Sequence, residues 1–195
     1  MIVIVFGPPG SGKGTQAQRV ASRIAVPHIA TGDILRAEVA RGSELGREAE
    51  PIMRSGKLVP DELIVRMIES RLGAGDAKSG ALLDGFPRTV AQAEALDAML
   101  LRAGRGVDVV VSLLVGDDEL RRRVLQRASI ENRADDTESA FDQRLRTYRE
   151  ETAPVLDHYR GAGTHIAEVD GVGDIDSVTT RISGALARNN AGVVA

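Results

Sequence analysis

The chain has 195 residues, 43% of them hydrophobic and 3% aromatic, with 25 basic and 28 acidic side chains for a net charge of −3. That length fits one domain with a substantial core, and the slightly acidic balance excludes a general nucleic-acid binder, whose footprint is basic. Cysteine is absent, which removes disulfides and thiolate zinc sites; residues 1–6 carry no basic flank and are too short for a signal or a membrane span, so a cytoplasmic location is expected.

A first strand is predicted over residues 1–6. It runs into Gly7-Pro8-Pro9-Gly10-Ser11-Gly12-Lys13-Gly14-Thr15 and then a helix from Lys13 to about residue 24, with Ala17, Val20, Ala21 and Ile24 on one face. The glycine-rich stretch matches the phosphate-loop pattern G-x-x-x-x-G-K-[ST], except that Gly14 follows Lys13 and Thr15 comes one place late. Gly7, Gly10, Gly12 and Gly14 let successive backbone N–H groups point inward as a cradle for phosphate oxygens. The helix N-terminus aims its positive dipole end at the same anion, and Lys13 adds a mobile full charge.

Further strands are predicted over 26–30, 81–84, 107–115 and 164–169. Their alternation with helix-period segments indicates a parallel α/β sheet with helices on both faces. Helices are expected after Pro60 (stripe Leu63, Ile64, Met67, Ile68, Leu72), after the N-cap Thr89 with Gly104 as stop, after Asp117 and Asp118, and from near Asp174. Residues 137–159 read as a helix that Pro154 kinks or breaks, and 189–195 as a frayed tail. Two stretches interrupt the pattern: 31–59 is longer than one simple helix requires, and 128–137 is polar without apolar period. Both read as inserts at the carboxyl ends of the strands, where doubly wound folds bind ligands.

The third strand ends Asp84-Gly85-Phe86-Pro87-Arg88. A carboxylate there, beside the phosphate loop, is placed to hold Mg²⁺ directly or through water; capping a turn is the alternative role. Arginines gather nearby in the chain: Arg123 and Arg127 at i and i+4, Arg133 in the polar stretch, Arg144 in the next helix, and Arg36 after Thr31-Gly32-Asp33. Like charges repel unless an anion joins them, which suggests a polyphosphate ligand; a salt-bridged face using Glu119 with Arg123 and Glu138 near Arg144 is the blander account. That account suffices for Arg121, Arg122, Arg146 and Arg149. His28, His158 and His165 lack metal-ligand spacing and read as surface or packing residues.

Taken together these segments resemble the adenylate kinases, within the nucleoside monophosphate kinases, over nearly the whole chain. The resemblance rests on Gly7–Thr15, Thr31-Gly32-Asp33 with Arg36, Gly56-Lys57-Leu58-Val59-Pro60, Asp84–Arg88 with Gln92, Arg123 and Arg127, Arg133-Ala134-Asp135-Asp136, and Arg144-Leu145 with Tyr148, all in order. It implies a phosphate-loop fold of three α/β/α layers around a five-stranded parallel sheet, with a core of 1–29, 60–127 and 139–188, an AMP-binding insert at 30–59 and a short lid at 128–138. By the same resemblance Gly10, Ser11, Gly12, Lys13, Gly14 and Thr15 cradle the ATP phosphates, with Thr15 and Asp84 on the Mg²⁺ side. Arg123 covers the ATP adenine, Arg127 reaches its phosphates, and Gly173 offers a backbone contact to that base. Thr31, Gly32, Arg36, Lys57, Leu58, Val59, Gly85, Phe86, Pro87, Arg88 and Gln92 form the AMP site, while Arg133 and Arg144 close over the transferring group. Lys13, Arg88, Arg123, Arg127, Arg133 and Arg144 are the implied catalytic set. The lid is the short form, without the hairpin or the zinc of some bacterial members, and five residues separate Arg127 from Arg133.

The implied activity is reversible, Mg²⁺-dependent transfer between ATP and AMP. It suits these residues: an AMP phosphate is already an anionic nucleophile, so no general base is needed, and the task is to neutralise charge between two polyanions. The nearest rivals are a UMP or CMP kinase and a GTP-dependent relative. Thr31 and Gln92 favour adenine, because a glutamine amide can both donate and accept along the N1 and N6 edge. A guanine-nucleotide switch would carry Asn-Lys-x-Asp, which is absent. With no helix apolar all round, a monomer is expected, with nucleotides as its partners and neither nucleic acid nor membrane.

Overall fold

The structure, a computed structural model, describes the backbone of residues 1–131 and 137–191, and the side chains of 1–126 and 137–188. Five parallel strands form one sheet: β1 (Ile2–Phe6), β2 (His28–Ala30), β3 (Ala81–Asp84), β4 (Val109–Leu114) and β5 (His165–Asp170), in the order β2-β3-β1-β4-β5. Successive side chains leave a strand on opposite faces, and β1 divides accordingly. Ile2, Ile4 and Phe6 enter one cluster with Ile29, Leu83, Phe86, Leu96, Val155 and Tyr159, whereas Val3 and Val5 join Ala17, Val20, Leu82, Val109, Val178 and Ile182 across the sheet. Burial on both faces is why these strands read as unbroken apolar runs.

Outside the stretch 31–59, where no helix is predicted, the helices follow the predicted positions closely. α1 (Lys13–Arg23) leads directly out of the phosphate loop. The interval 31–59 holds two helices, α2 (Thr31–Arg41) and α3 (Glu44–Arg54), turned at Gly42 with Ser43 Oγ accepting from the Gly46 N–H at 3.0 Å. They pack so closely that a Cβ on Gly46 would lie 2.2 Å from the Glu38 carbonyl oxygen. After α4 (Asp61–Leu72) and β3, Thr89 caps α5 (Val90–Arg102) by accepting from the Gln92 N–H at 3.1 Å.

α6 (Asp117–Glu131) is followed by α7 (Glu138–Thr147), and the two share a small core of Leu120, Val124, Phe141 and Leu145. The predicted helix over 137–159 is interrupted where Pro154 lacks an N–H to donate: α7 widens into a π turn at Tyr148–Thr152, and α8 (Pro154–Gly161) starts on the proline itself. α9 (Ile175–Ala191) runs into the stretch expected to fray, while residues 192–195 lie outside the described residues. β3 matches the predicted span, β5 is shifted one residue toward the C-terminus, and β1, β2 and β4 are shorter than expected by one to three residues. β2 begins at His28 because Pro27 has no N–H for the ladder, although its carbonyl still accepts from Leu82 N at 2.9 Å. No described helix is long and apolar enough to cross a membrane.

Candidate active site

The sheet order places β1 between β3 and β4, so the loop after β1 meets the end of β3. Gly14 and Asp84 come within van der Waals reach: a Cβ on Gly14 would stand 3.5 Å from Asp84 Oδ2. The loop needs glycine most sharply at Gly10, whose φ is +85° and where a Cβ would fall 2.7 Å from the Leu120 carbonyl oxygen on α6. Lys13 Nζ donates to the carbonyls of Gly7 (2.6 Å) and Pro8 (2.9 Å), holding the ammonium over its own loop.

A cleft of about 640 Å³ opens at this end of the sheet. Its wall includes Gly10, Gly12, Lys13, Gly14 and Thr15 from the loop, Thr31, Gly32 and Arg36 from α2, and Lys57, Leu58 and Val59 from the α3–α4 connection. Asp84, Gly85, Phe86, Pro87, Arg88, Gln92, Arg123 and Arg144 also line it. The predicted residues are thus brought together from segments up to 134 positions apart, with the exceptions of Ser11 and Gly173, which lie off the cleft wall, and of Arg127 and Arg133. Ser11 is buried, its hydroxyl pressed against Gly7 and without a hydrogen-bond partner among the described residues. Gly173, at φ +122°, follows β5 outside the cleft wall, with a Cβ there facing Arg181 at 3.5 Å. Arg133 and the side chain of Arg127 lie outside the described residues.

Burial works against the Asp84 charge, yet His28, Lys13 and Arg88 outweigh it and hold the carboxyl below its ordinary value. His28 Nε2 stands 3.5 Å from Asp84 Oδ2, so this histidine belongs to the cleft and not only to packing. The pair of oxygens offered by Asp84 and Thr15 suits a hard cation that takes its remaining ligands from phosphates and water. Among the described residues no cluster of three or more His, Cys, Asp or Glu could hold a metal by itself.

Arg88 Nε donates to the Gly85 carbonyl at 2.8 Å. Burial lowers its guanidinium from the usual value, Asp84 opposes that, and the like charges of Arg144 and Arg36 add to the lowering. Arg36, which also pairs with Asp33 at 2.6 Å, Arg88 and Arg144 all line the cleft and lie close enough to influence one another. Gly85, at φ +74°, permits the approach; a Cβ would meet Thr31 Oγ1 at 2.8 Å and Arg88 Nη2 at 2.9 Å. Thr31 Oγ1 itself donates to the Gly85 carbonyl at 2.9 Å.

Arg123 spans the other end. Its Nε donates to Glu119 at 2.6 Å, and Nη1 and Nη2 both reach the Gly171 carbonyl at 3.1 Å, tying α6 to the β5–α9 loop. Glu119 is pushed down to about 2 by Arg122 and Arg123 together. Of the two pairings in the blander account, Glu119 with Arg123 forms but Glu138 with Arg144 does not: α7 docks so that Glu138 reaches Arg121 at 2.8 Å, beside Asp142 at 2.7 Å from the same guanidinium. Sequence reasoning missed Asp61, whose carboxylate accepts from Gln92 Nε2 and Thr89 Oγ1, each at 2.7 Å. The only local hint is an acidic residue immediately after Pro60 in a helix's first turn.

The family model "Adenylate kinase" matches residues 5–164. The chain belongs to the adenylate kinase family. It is 49% identical over 186 residues to an adenylate kinase of Stenotrophomonas maltophilia (strain K279a), covering 95% of this chain and 99% of that one. It is 50% identical over 186 residues to those of Thermobifida fusca (strain YX) and Nocardioides sp. (strain ATCC BAA-499 / JS614), covering 95% of this chain and 98% and 97% of theirs. Membership makes the chain a nucleoside monophosphate kinase, and the phosphate loop, parallel sheet and cationic cleft are the parts that such a transferase needs.

Proposed function

We propose that the cleft binds ATP and AMP end to end and transfers the terminal phosphoryl group between them, reversibly, giving two ADP. The observation that carries this reading is a single cleft with two cationic ends. Lys13 and the loop amides lie at one, and Arg36, Arg88 and Arg144 converge at the other. A hydrolase or switch that holds one nucleotide has no use for the second cluster.

On this reading Gly10, Gly12, Gly14 and Thr15 take the ATP phosphates through backbone N–H groups and a hydroxyl, with Ser11 contributing main chain only, since its side chain faces inward. Arg123 and Arg127 serve the ATP base and phosphates, and Gly173 the base from the loop that Arg123 grips. Thr31, Gly32, Arg36, the Lys57–Leu58–Val59 backbone, Gly85, Phe86, Pro87, Arg88 and Gln92 receive AMP. Lys13, Arg88, Arg133 and Arg144 neutralise charge as it moves toward the bridging oxygens, and because they stand ready before the reaction, little reorganisation is needed. Mg²⁺ arriving with ATP would be held from the protein side by Thr15 and Asp84 and would supply charge neutralisation across the phosphates. No residue need act as a base, because the attacking AMP oxygen is already an anion. Residues 30–59 act as the acceptor insert and 128–138, whose middle lies outside the described residues, as the lid. Their closure keeps water from taking the phosphoryl group. The enzyme is read as a cytoplasmic monomer without zinc.

The test supplies MgATP with AMP, UMP, CMP or GMP separately and measures ADP formation. AMP is expected to give the highest kcat/KM; a preference for UMP overturns the assignment.

A further inference from the structure

Gln92 is 1% exposed, and its side-chain amide is held from two sides by partners of opposite kind. The Arg88 backbone N–H, which can only donate, gives its hydrogen to Gln92 Oε1 at 2.7 Å. The Asp61 carboxylate, which can only accept, takes a hydrogen from Gln92 Nε2 at 2.7 Å. Asp61 is held in turn: its second oxygen accepts from Thr89 Oγ1 at 2.7 Å, and Thr89 is the cap of the helix that carries Gln92. Rotating the amide by half a turn would set N–H against N–H at Arg88 and oxygen against oxygen at Asp61. Only one orientation survives.

An amide has two hydrogens on nitrogen and two lone pairs on oxygen. With one of each consumed, one N–H on Nε2 and one lone pair on Oε1 remain for a ligand in the cleft that Gln92 lines. Adenine presents N1 as acceptor beside N6–H as donor, which this fixed edge complements. Hypoxanthine and guanine present N1–H as donor beside O6 as acceptor, the reverse order.

We infer that Asp61 is a specificity-determining positioning residue: by locking the Gln92 amide in one orientation, it makes the cleft accept a 6-aminopurine monophosphate and reject a 6-oxopurine one. Asp61 touches no substrate and acts only through Gln92. The inference rests on the acceptor reading proposed above, in which Gln92 faces the AMP base.

Asp61→Asn keeps the shape of the side chain but offers a donor as well as an acceptor, so the reversed amide regains a partner. Asp61→Ala removes the acceptor and offers nothing, leaving the Arg88 N–H as the remaining guide. The measurement is kcat/KM for AMP and for IMP with MgATP, alongside thermal unfolding. In Asp61→Asn the AMP/IMP ratio is expected to fall about tenfold, the scale of one hydrogen bond to a charged group, through KM for the monophosphate and not through KM for ATP. In Asp61→Ala the ratio falls less, about threefold, although stability suffers more. A merely structural role predicts the opposite order, with the isosteric Asn milder in every readout. An unchanged ratio in both variants overturns the inference, as does a larger drop in Ala than in Asn; if Asn does not fold, an unchanged ratio in Ala overturns it alone. Gln92→Leu separates the two levels of the argument. A tenfold or greater rise in KM for AMP upholds the acceptor reading whatever the Asp61 variants show, and no rise removes that reading and this one together.

Discussion

Replacing Arg88 with alanine removes one of the cations at the end of the cleft proposed to receive AMP. In structural terms the loss is limited: one charge-assisted hydrogen bond from Nε to the Gly85 carbonyl at 2.8 Å, worth about 1.5–3 kcal/mol. Relief of the repulsion from Arg36 and Arg144 offsets part of this, while Asp84 loses one of the charges that hold it ionised. The variant should therefore fold and lose no more than roughly 1–2 kcal/mol of stability. On the proposed reading the same guanidinium would face charge that grows on the transferring group, in a site where it costs little reorganisation. Single arginines in such roles contribute about 10³-fold or more, near 4 kcal/mol of barrier. The assay is steady-state kcat/KM for AMP at saturating MgATP, with thermal unfolding and KM for ATP as controls. We expect about a 10³-fold loss with KM for ATP within a few-fold of wild type. Arg88→Lys should still lose at least about tenfold, because a point charge does not reproduce the planar fork. A loss below tenfold in Arg88→Ala would place the residue outside contact with the reacting phosphates and refute the reasoning.

Two further outcomes follow from other parts of the molecule. Gly46→Ala gains about 0.5–1 kcal/mol of helix propensity but drives a Cβ to within 2.2 Å of the Glu38 carbonyl oxygen, a backbone atom that yields only if α2 and α3 separate. A net cost of about 2 kcal/mol, seen as a melting temperature lower by roughly 4–8 °C, is expected; a rise in melting temperature would contradict the packing. Asp84 has a folded-state pKa below its ordinary 3.8, so its ionised form stabilises the fold fully above that value, and the contribution fades as pH falls toward the lower folded-state pKa. The urea midpoint of the wild type should thus lose more between pH 5 and pH 3 than that of Asp84→Asn, while kcat/KM shows no ionisation from Asp84 between pH 5 and 8. Equal acid slopes would show that the carboxylate is not held by its neighbours.

Much of this was legible along the chain because the chemistry is local. The phosphate loop is contiguous, a strand before it and a helix after it, so glycine spacing and Lys13 announced it without tertiary information. The end of β3 at Asp84, with Arg88 in the loop beyond it, was equally plain, since a strand buried on both faces is apolar throughout. The insert was harder to read. α2 fully buries only Thr31 and Leu35; α3 does present a stripe of Leu45, Ala49, Ile52 and Met53 to the core, but Gly46 and Pro51 fall within it and weaken its helical signal. The interruption at Pro154 was foreseeable from the missing N–H, but its form, a π turn before a new helix, depends on how Tyr148 and Val155 pack on the sheet.

By itself the amino-acid order determined the doubly wound fold, the anion-binding loop and the identities of the side chains that gather around it, because periodicity and turn chemistry act between near neighbours. Only the tertiary structure decided which charges meet. It turned Glu138 to Arg121, gave Asp84 the company of His28 and Lys13, and folded Ser11 inward. It also gripped both ends of the Gln92 amide between Asp61 and the Arg88 backbone. Coulombic and hydrogen-bond partners are chosen by distance in space, and a sheet that orders its strands 2-3-1-4-5 brings together residues that the chain keeps far apart.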